Sequence, residues 1–465
     1  MSEHETIIEE RRAWWNPLNW PTGIWVLITG GMIMATPFLV RMVLLSGVSP
    51  MAEPFDVDEF ARWDIADSDN AFTDYKLATD LKAKVVFSHI PENVETVINE
   101  GWSKADGPLI EWMKANRAAL EVWRRGTAKQ HALYISPRDL SFTSVLPVVQ
   151  EQRMFARLAS LEAIQSIEKG ELDEAFQWAR AMFRSGGHTT HRGCLIQGLV
   201  GCALHSMAAN RIQQWASQPE LTSAQLLSAR AAIRADNSLY ESPSNLLKSE
   251  YMAVQNTIAI GNWNQAINTS GVSSEFAASA MRAGYWVIGE PELMLRLYRQ
   301  VIANQIREID KPLSQRPRLV GTSGIYLFDT GTAELLPGQM SPIDIDHQVS
   351  RSPLMKMLAP AMQGADRAFL QQQVRQAALE VLLAAQAWHR DFGQFPMEIT
   401  DLVPKYLDQI PLDVFDRAGG TLRYRVDESG TAIVWSVGSD GVNGDGDVVS
   451  KTTPGDVGYV VKYGK

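Results

Sequence analysis

Apolar positions along this chain follow three successive patterns. Residues 22–40, "TGIWVLITGGMIMATPFLV", contain no charge, and a helix of that length crosses a hydrocarbon layer of about 30 Å. Beyond Arg41 the apolar run resumes as "MVLLSGV", which extends the predicted transmembrane helix to 22–48 with Arg41 snorkelling to the interface. From 53 to 310 the period is that of helices. "EPFDVDEFARWDIA" reads as an extended lead-in, and "PLIEWMKANRAALEVWRRG" places Ile110, Met113, Leu120 and Trp123 near one face of a helix that Gly126 would end. Residues 311–353 lose the periodicity and are rich in Pro and Gly, as expected of a loop-rich connector. In 354–465 a helical stripe of Leu370, Val374, Ala378, Val381, Ala385 and Trp388 stops at Gly393. Two alternating runs follow, with Leu422, Tyr424 and Val426 on one face, Ile433, Trp435 and Val437 on one face, and "DESG" as the turn between them. The predicted fold class is mainly α with a small C-terminal α+β domain.

Within the helical region, "ARLASLEAIQSIEKGELDEAFQWARAMFRSGGH" has Gly170 between two amphipathic runs, with Leu158, Leu161, Ala175 and Ala179 supplying interhelical contacts. It resembles a tetratricopeptide-repeat hairpin. One copy is present where a stacked solenoid needs about three, so an irregular helical-hairpin domain is expected. "GCLIQGLVGCALHSMAANRIQQWA" reads as a buried central helix whose Gly198 and Gly201 permit close packing.

Charge and composition narrow the setting. With 465 residues and 45% hydrophobic content the chain holds two or three domains, and a net charge of −10 without a basic stripe argues against a nucleic-acid partner. Cys194 and Cys202, the two cysteines, lie eight positions apart on one predicted helix. They are therefore roughly 12 Å apart and cannot pair. Trp14, Trp15, Trp20 and Trp25 form an aromatic belt at the start of the span. A cleaved signal peptide is the rival reading, but the apolar run is longer than a usual signal core and Pro50 spoils the small-residue pattern before Ala52. Arg11 and Arg12 precede the span and Arg41 alone follows closely, which places tail 1–21 in the cytoplasm and the bulk outside it, in the periplasm of a bacterium.

"DFGQFP", "DLVPKYLDQIPLDVFD", "LRYR" and "WSVGSDG" follow one another in the order and spacing of the soluble head of the major pseudopilin of type II secretion systems. The C-terminal region resembles that family over about 370–447, and the whole chain resembles single-span bacterial membrane proteins of no assigned activity. The resemblance implies a calcium-binding loop, carried onto Asp440, Asp445 and Asp447, with Asn443 as a further oxygen ligand. Closely spaced Asp and Asn with intervening glycines also suit the six to eight oxygen ligands that calcium takes. The stretch is no EF-hand, and an Asx/Gly turn has the same composition. Two features depart from the pseudopilins. No Gly-Phe-Thr-x-x-Glu-type peptidase site precedes the span, and a long helical region separates span from head, so a pilus-like filament is not implied.

Motifs for serine hydrolases, P-loops, dinucleotide folds, zincins and dithiols are absent from the sequence. Two constellations of metal-ligating types remain. "GGHTTHRGC" offers His188, His191 and Cys194, and "DIDH" offers Asp344, Asp346 and His347; together they would make an open hydrolase metal site. The bland alternative is that Gly186 and Gly187 close one helix, His188 or Thr189 caps the next, and "DIDH" is a polar loop. The expected function is that of a membrane-anchored extracytoplasmic interaction or scaffold protein, with lipid around its anchor, protein partners on its helical surface and calcium in its head. A membrane-tethered metal-dependent hydrolase and an accessory component of a type II secretion-like apparatus are the alternatives.

Overall fold

The computed structural model describes residues 20–62, 65–83, 90–259, 275–331, 335–448 and 455–463. Arg11, Arg12, Trp14 and Trp15, on which the expected orientation and part of the aromatic belt rest, lie outside them. The chain is mainly helical, with a small sheet near its C-terminus and one apolar helix near its N-terminus.

Helix α1, Thr22–Ser46, has 25 residues, none of them buried, and is about 38 Å long at the α-helical rise. It is long and apolar enough to cross a membrane, a property it shares with signal sequences. Its last turns dock on the folded body. Arg41 pairs with Glu292 at 3.2 Å and donates to the Trp286 carbonyl at 2.6 Å. The backbone then continues along the same surface, with Arg296 donating to Leu45 O and Gln300 to Ser49 O. Arg41 is thus tied to protein rather than reaching freely to a headgroup.

The stretch expected to be extended contains a short helix, α2, Val57–Ala61, because the Asp56 carboxylate accepts from Glu59 N and so caps it. Phe60 is then buried, edge-on to Phe55. Helices α3 (Ala71–Ala83), α4 (Val94–Glu100), α5 (Gly107–Thr127), α6 (Phe142–Glu168), α7 (Leu172–Thr190), α8 (Leu195–Ala216) and α9 (Ser223–Asp236) follow. Met113, Leu120 and Trp123 point inward from α5 as expected, but Ile110 is 44% exposed and Leu109 and Trp112 take the inner face. Gly126 does not end α5. It lies within the helix because a Cβ there would come within 2.9 Å of the Tyr75 ring.

The hairpin expected at Gly170 is present. Gly170 has φ +75, a left-handed conformation natural to glycine, and Leu158, Leu161, Ala175 and Ala179 are buried. Helix α7 does not stop at Gly186 and Gly187 but runs through to Thr190, and Cys194 stands at the N-cap of α8. These glycines remain helical because of what crosses them: a Cβ on Gly186 would lie 2.5 Å from the Tyr240 hydroxyl and 3.1 Å from Gly201 O. Gly201 faces Gly186 O in turn at 3.0 Å, and a Cβ on Gly198 would meet Leu246 at 2.7 Å and Phe369 at 2.9 Å. The close packing expected of α8 is therefore built on both of its glycines.

Helices α10 (Pro243–Ala259), α11 (Glu275–Val287) and α12 (Glu292–Gln305) lead to a two-residue hairpin, β1 Leu319–Val320 with β2 Leu327–Phe328, and to α13, Pro342–Val349. The connector is thus more structured than its composition suggests. Asp344, Asp346 and His347 sit on α13, whose N-cap Ser341 accepts from Asp344 N, and not in a loop.

Helix α14, Pro353–Phe392, spans 40 residues and ends on Gly393 at φ +76. The stripe expected along it faces inward, but Leu382, Leu383, Ala384 and Ala387 are buried as well. It is enclosed on several sides, by α8 and α9 and by the sheet. That sheet is antiparallel, with β3 (Arg423–Val426) beside β4 (Ala432–Ser436) and β4 beside β5 (Val457–Val461). The third strand, from "VGYVV", escaped the sequence reading. One hydrophobic core runs from Ala71 through α14 to Val461, and a second gathers α10, α12, α13 and the start of α14 around Tyr251 and Tyr298.

Candidate functional site

The Asp/Gly stretch of the head follows β4. Asp440 Oδ1 accepts from Val442 N at 3.0 Å, an Asx turn. Asn443 Oδ1 accepts from Trp435 Nε1 at 2.9 Å and from Asp445 N at 3.2 Å, while its amide donates to Asp445 Oδ1 at 3.1 Å. Asp445 has φ +55. The loop is also braced by Asp456, just before β5, whose carboxylate accepts from Gly444 N and Gly446 N at 3.1 and 2.7 Å. Asp456 is the residue the sequence reading missed. Its place next to an apolar C-terminal run was the only available signal. Among the described residues no three acidic, His or Cys side chains gather into a metal-binding group. Asp440, Asn443 and Asp445 make hydrogen bonds within the loop. The loop continues into 449–454, outside the described residues.

A second acidic position in the head is purely structural. Asp413 is 1% exposed and accepts from Ser436 Oγ, Val437 N and Phe415 N, with Arg423 at 3.0 Å completing its shell. It fastens the segment before β3 to the end of β4.

The two candidate transition-metal clusters stay apart, each taken up by its own surroundings. His188 is buried on α7 with Nδ1 2.7 Å from the Tyr75 hydroxyl. Burial, and next Arg184, push its pKa down to about 3, so the ring is neutral and shares one hydrogen bond with the tyrosine hydroxyl. His191 lies 3.3 Å from Glu241. The Cys194 thiol is pushed up to about 12 by burial, and next by Glu250, so it stands as a neutral, buried thiol. On α13, Asp346 accepts from Thr322 N at 2.8 Å and Ser323 N at 3.0 Å, closing the β1–β2 turn.

The arginines near α7 belong to structure too. Arg184 donates to Thr127 O and Lys129 O at 2.5 and 2.7 Å, satisfying carbonyls left over at the end of α5. Asp236, 2% exposed, pairs with both Arg184 and Arg180.

A concave site lies where α9 passes into α10 beside α14. Its cavity of about 260 Å³ is lined by Asn237, Tyr240, Glu241, Asp310, Gln372 and Gln376, among others. The carboxylates are engaged: Glu241 accepts from Arg192 N and Asn245, and Asp310 from Ser244 N and Oγ. Two amide atoms are not. Asn237 Oδ1 and Gln376 Nε2 are buried without a hydrogen-bond partner, one an acceptor and the other a donor.

No family model matches the chain, and no curated protein or solved structure is similar to it.

Proposed function

We propose that this chain is a single-span membrane protein of the bacterial inner membrane, its N-terminus in the cytoplasm and its folded bulk in the periplasm, acting as an interaction or scaffold protein. The observation that carries the reading is α1, an apolar helix of 25 residues with none buried, beside a body that has its own two cores. Such a helix in water would leave apolar surface uncovered along most of its length. Its final turns are held by Glu292 and Arg296, and the segment just after them by Gln300, which suits a stiff tether better than a leader awaiting removal. The concave cleft beside α14 is the place offered to a partner's extended segment.

A second reading, an accessory part in a type II secretion-like apparatus, is favoured by the order of a long helix, a small antiparallel sheet and an Asp/Gly loop in the head. On that reading calcium belongs to the loop of Asp440, Asn443, Asp445 and Asp447 and supports its fold. The metal-dependent hydrolase draws no comparable support, since His188 and Asp346 are engaged by separate structural partners.

Alkaline extraction of membranes tests the anchor. The full-length chain should stay with the pellet and leave it only in detergent. A soluble mature protein whose intact mass lacks the first helix would overturn the reading in favour of a signal peptide.

A further inference from the structure

Helix α11 is an odd surface helix. Its described exposed positions are Ala277, Ser279, Ala280, Ala283, Gly284 and Trp286, and none carries a charge. Arg282, its one described basic residue, is half-buried and donates to Ser279 Oγ at 2.7 Å. A helix facing water ordinarily lines its outer face with charged side chains. Here the inner face is covered instead: Ala278 is buried, and Tyr285 packs on the core around Tyr251 and Tyr298. The outer face is open, since a Cβ on Gly284 would meet nothing within 4 Å.

The end of α11 is fixed against α1. The Trp286 ring meets Phe38 edge-on at 5.1 Å between centroids, and the Arg41 guanidinium lies 5.1 Å from the same ring. Gly289, just past α11, abuts Leu45, its Cβ position 3.4 Å from that side chain. Trp286, 37% exposed, therefore stands level with the end of the apolar span, where an aromatic ring beside an arginine suits the boundary between acyl chains and headgroups.

We propose that α11 lies on the same bilayer that α1 crosses, its uncharged outer face in contact with lipid and Trp286 at the interface, so that the body rests on the membrane through two helices. The inference rests on the reading of α1 as a membrane anchor. Continuity decides the occupant, because a bilayer around Phe38 and Arg41 reaches Trp286 without any rearrangement. Small side chains at Ala277, Ala280 and Ala283 let the helix lie close to the surface with a shallow footprint.

The test uses the full-length protein in vesicles of phosphatidylethanolamine and phosphatidylglycerol carrying brominated acyl chains. An encoded environment-sensitive fluorophore replaces Ala283, or Met34 on α1, or Ser429 in the turn of the head. The expected result is quenching at position 283 of at least half that at position 34, with none at 429. Quenching at 34 with position 283 as unquenched as 429 would overturn the inference and leave the anchor standing, the outcome also expected if a second copy covered this face. Absence of quenching at 34 would bring down the anchor and the inference together.

Discussion

Burial decides the chemistry of individual residues in this chain. His205 on α8 is fully buried between Phe183 and Tyr240, and neither ring nitrogen has a hydrogen-bond partner. Burial, and then Arg375, lower its pKa from 6.5 to about 3. The folded form thus excludes a proton that the unfolded chain accepts, so the contribution is full above the unfolded value and is lost as pH falls toward the folded one. Between pH 6.5 and 5 that loss is about 2 kcal/mol for one such group. A His205→Leu variant should be nearly as stable as the parent at neutral pH, and its urea midpoint should fall less on acidification, by about the same 2 kcal/mol. An unchanged pH slope would show that His205 is not held neutral. Glu250 has the opposite sign. Burial raises it to about 7, so the folded state binds the extra proton and stability falls as pH rises from 4.5 through 7. The candidate ligands were legible in the sequence as residue types only. Whether His188 meets a metal or Tyr75 depends on α3, more than a hundred positions away in sequence, and no local pattern carries that information.

At the level of elements, the turns were more legible than the crossings. Gly170 and Gly393 end helices because each takes a positive φ, and their flanking periodicity announces it. Gly126, Gly186 and Gly187 have the same local look yet stay within helices, since their role is to admit Tyr75, Tyr240 and Leu239. The α7–α8 crossing is the clearest case. Gly201→Ala would drive a methyl into Thr190 and to within 3.0 Å of Gly186 O. Backbone on one side cannot move aside cheaply, so a loss of about 1–3 kcal/mol is expected in urea denaturation, and no loss would mean that the two helices are not in contact there. Helix α13 was missed because Pro and Gly on either side masked a capped segment of eight residues. Strand β5 was missed because about twenty mostly polar and Gly-rich positions of sequence separate it from β4. Asp456, just before β5, ties Gly444 and Gly446 to the start of that strand. If calcium binds there, millimolar calcium should raise the melting temperature and Asp440→Ala with Asp447→Ala should abolish the rise, since a ligand stabilises only the state that holds it. An unchanged melting curve in the parent chain would remove calcium from the head.

Across the whole molecule, the apolar first helix, the mainly helical character and the small sheet near the C-terminus were readable from periodicity, but their joining was not. Helix α14 was expected as the start of a separate head. It is instead shared: Arg375 donates to Ser206, Arg390 to the carbonyls of Ala216, Gln218 and Leu221, and Gln386 to Lys462 O. Gln213 of α8 reaches Val460 O in β5 at 2.6 Å. Body and head are thus fastened to one helix of 40 residues, about 60 Å long, whose N-cap Ser352 donates to Glu290 at the base beside α1. That base joins the body through Arg41, Glu292 and Arg296, an arrangement that serves a tether only if α1 is in a bilayer. Protease added to spheroplasts measures this most directly. With a tag at each end, the body and the C-terminal tag should be digested in spheroplasts yet protected in intact cells, while the N-terminal tag survives on a membrane-bound fragment. A C-terminal tag that stays protected until the inner membrane is lysed, or a full-length chain found free in the cytosol, would contradict the account.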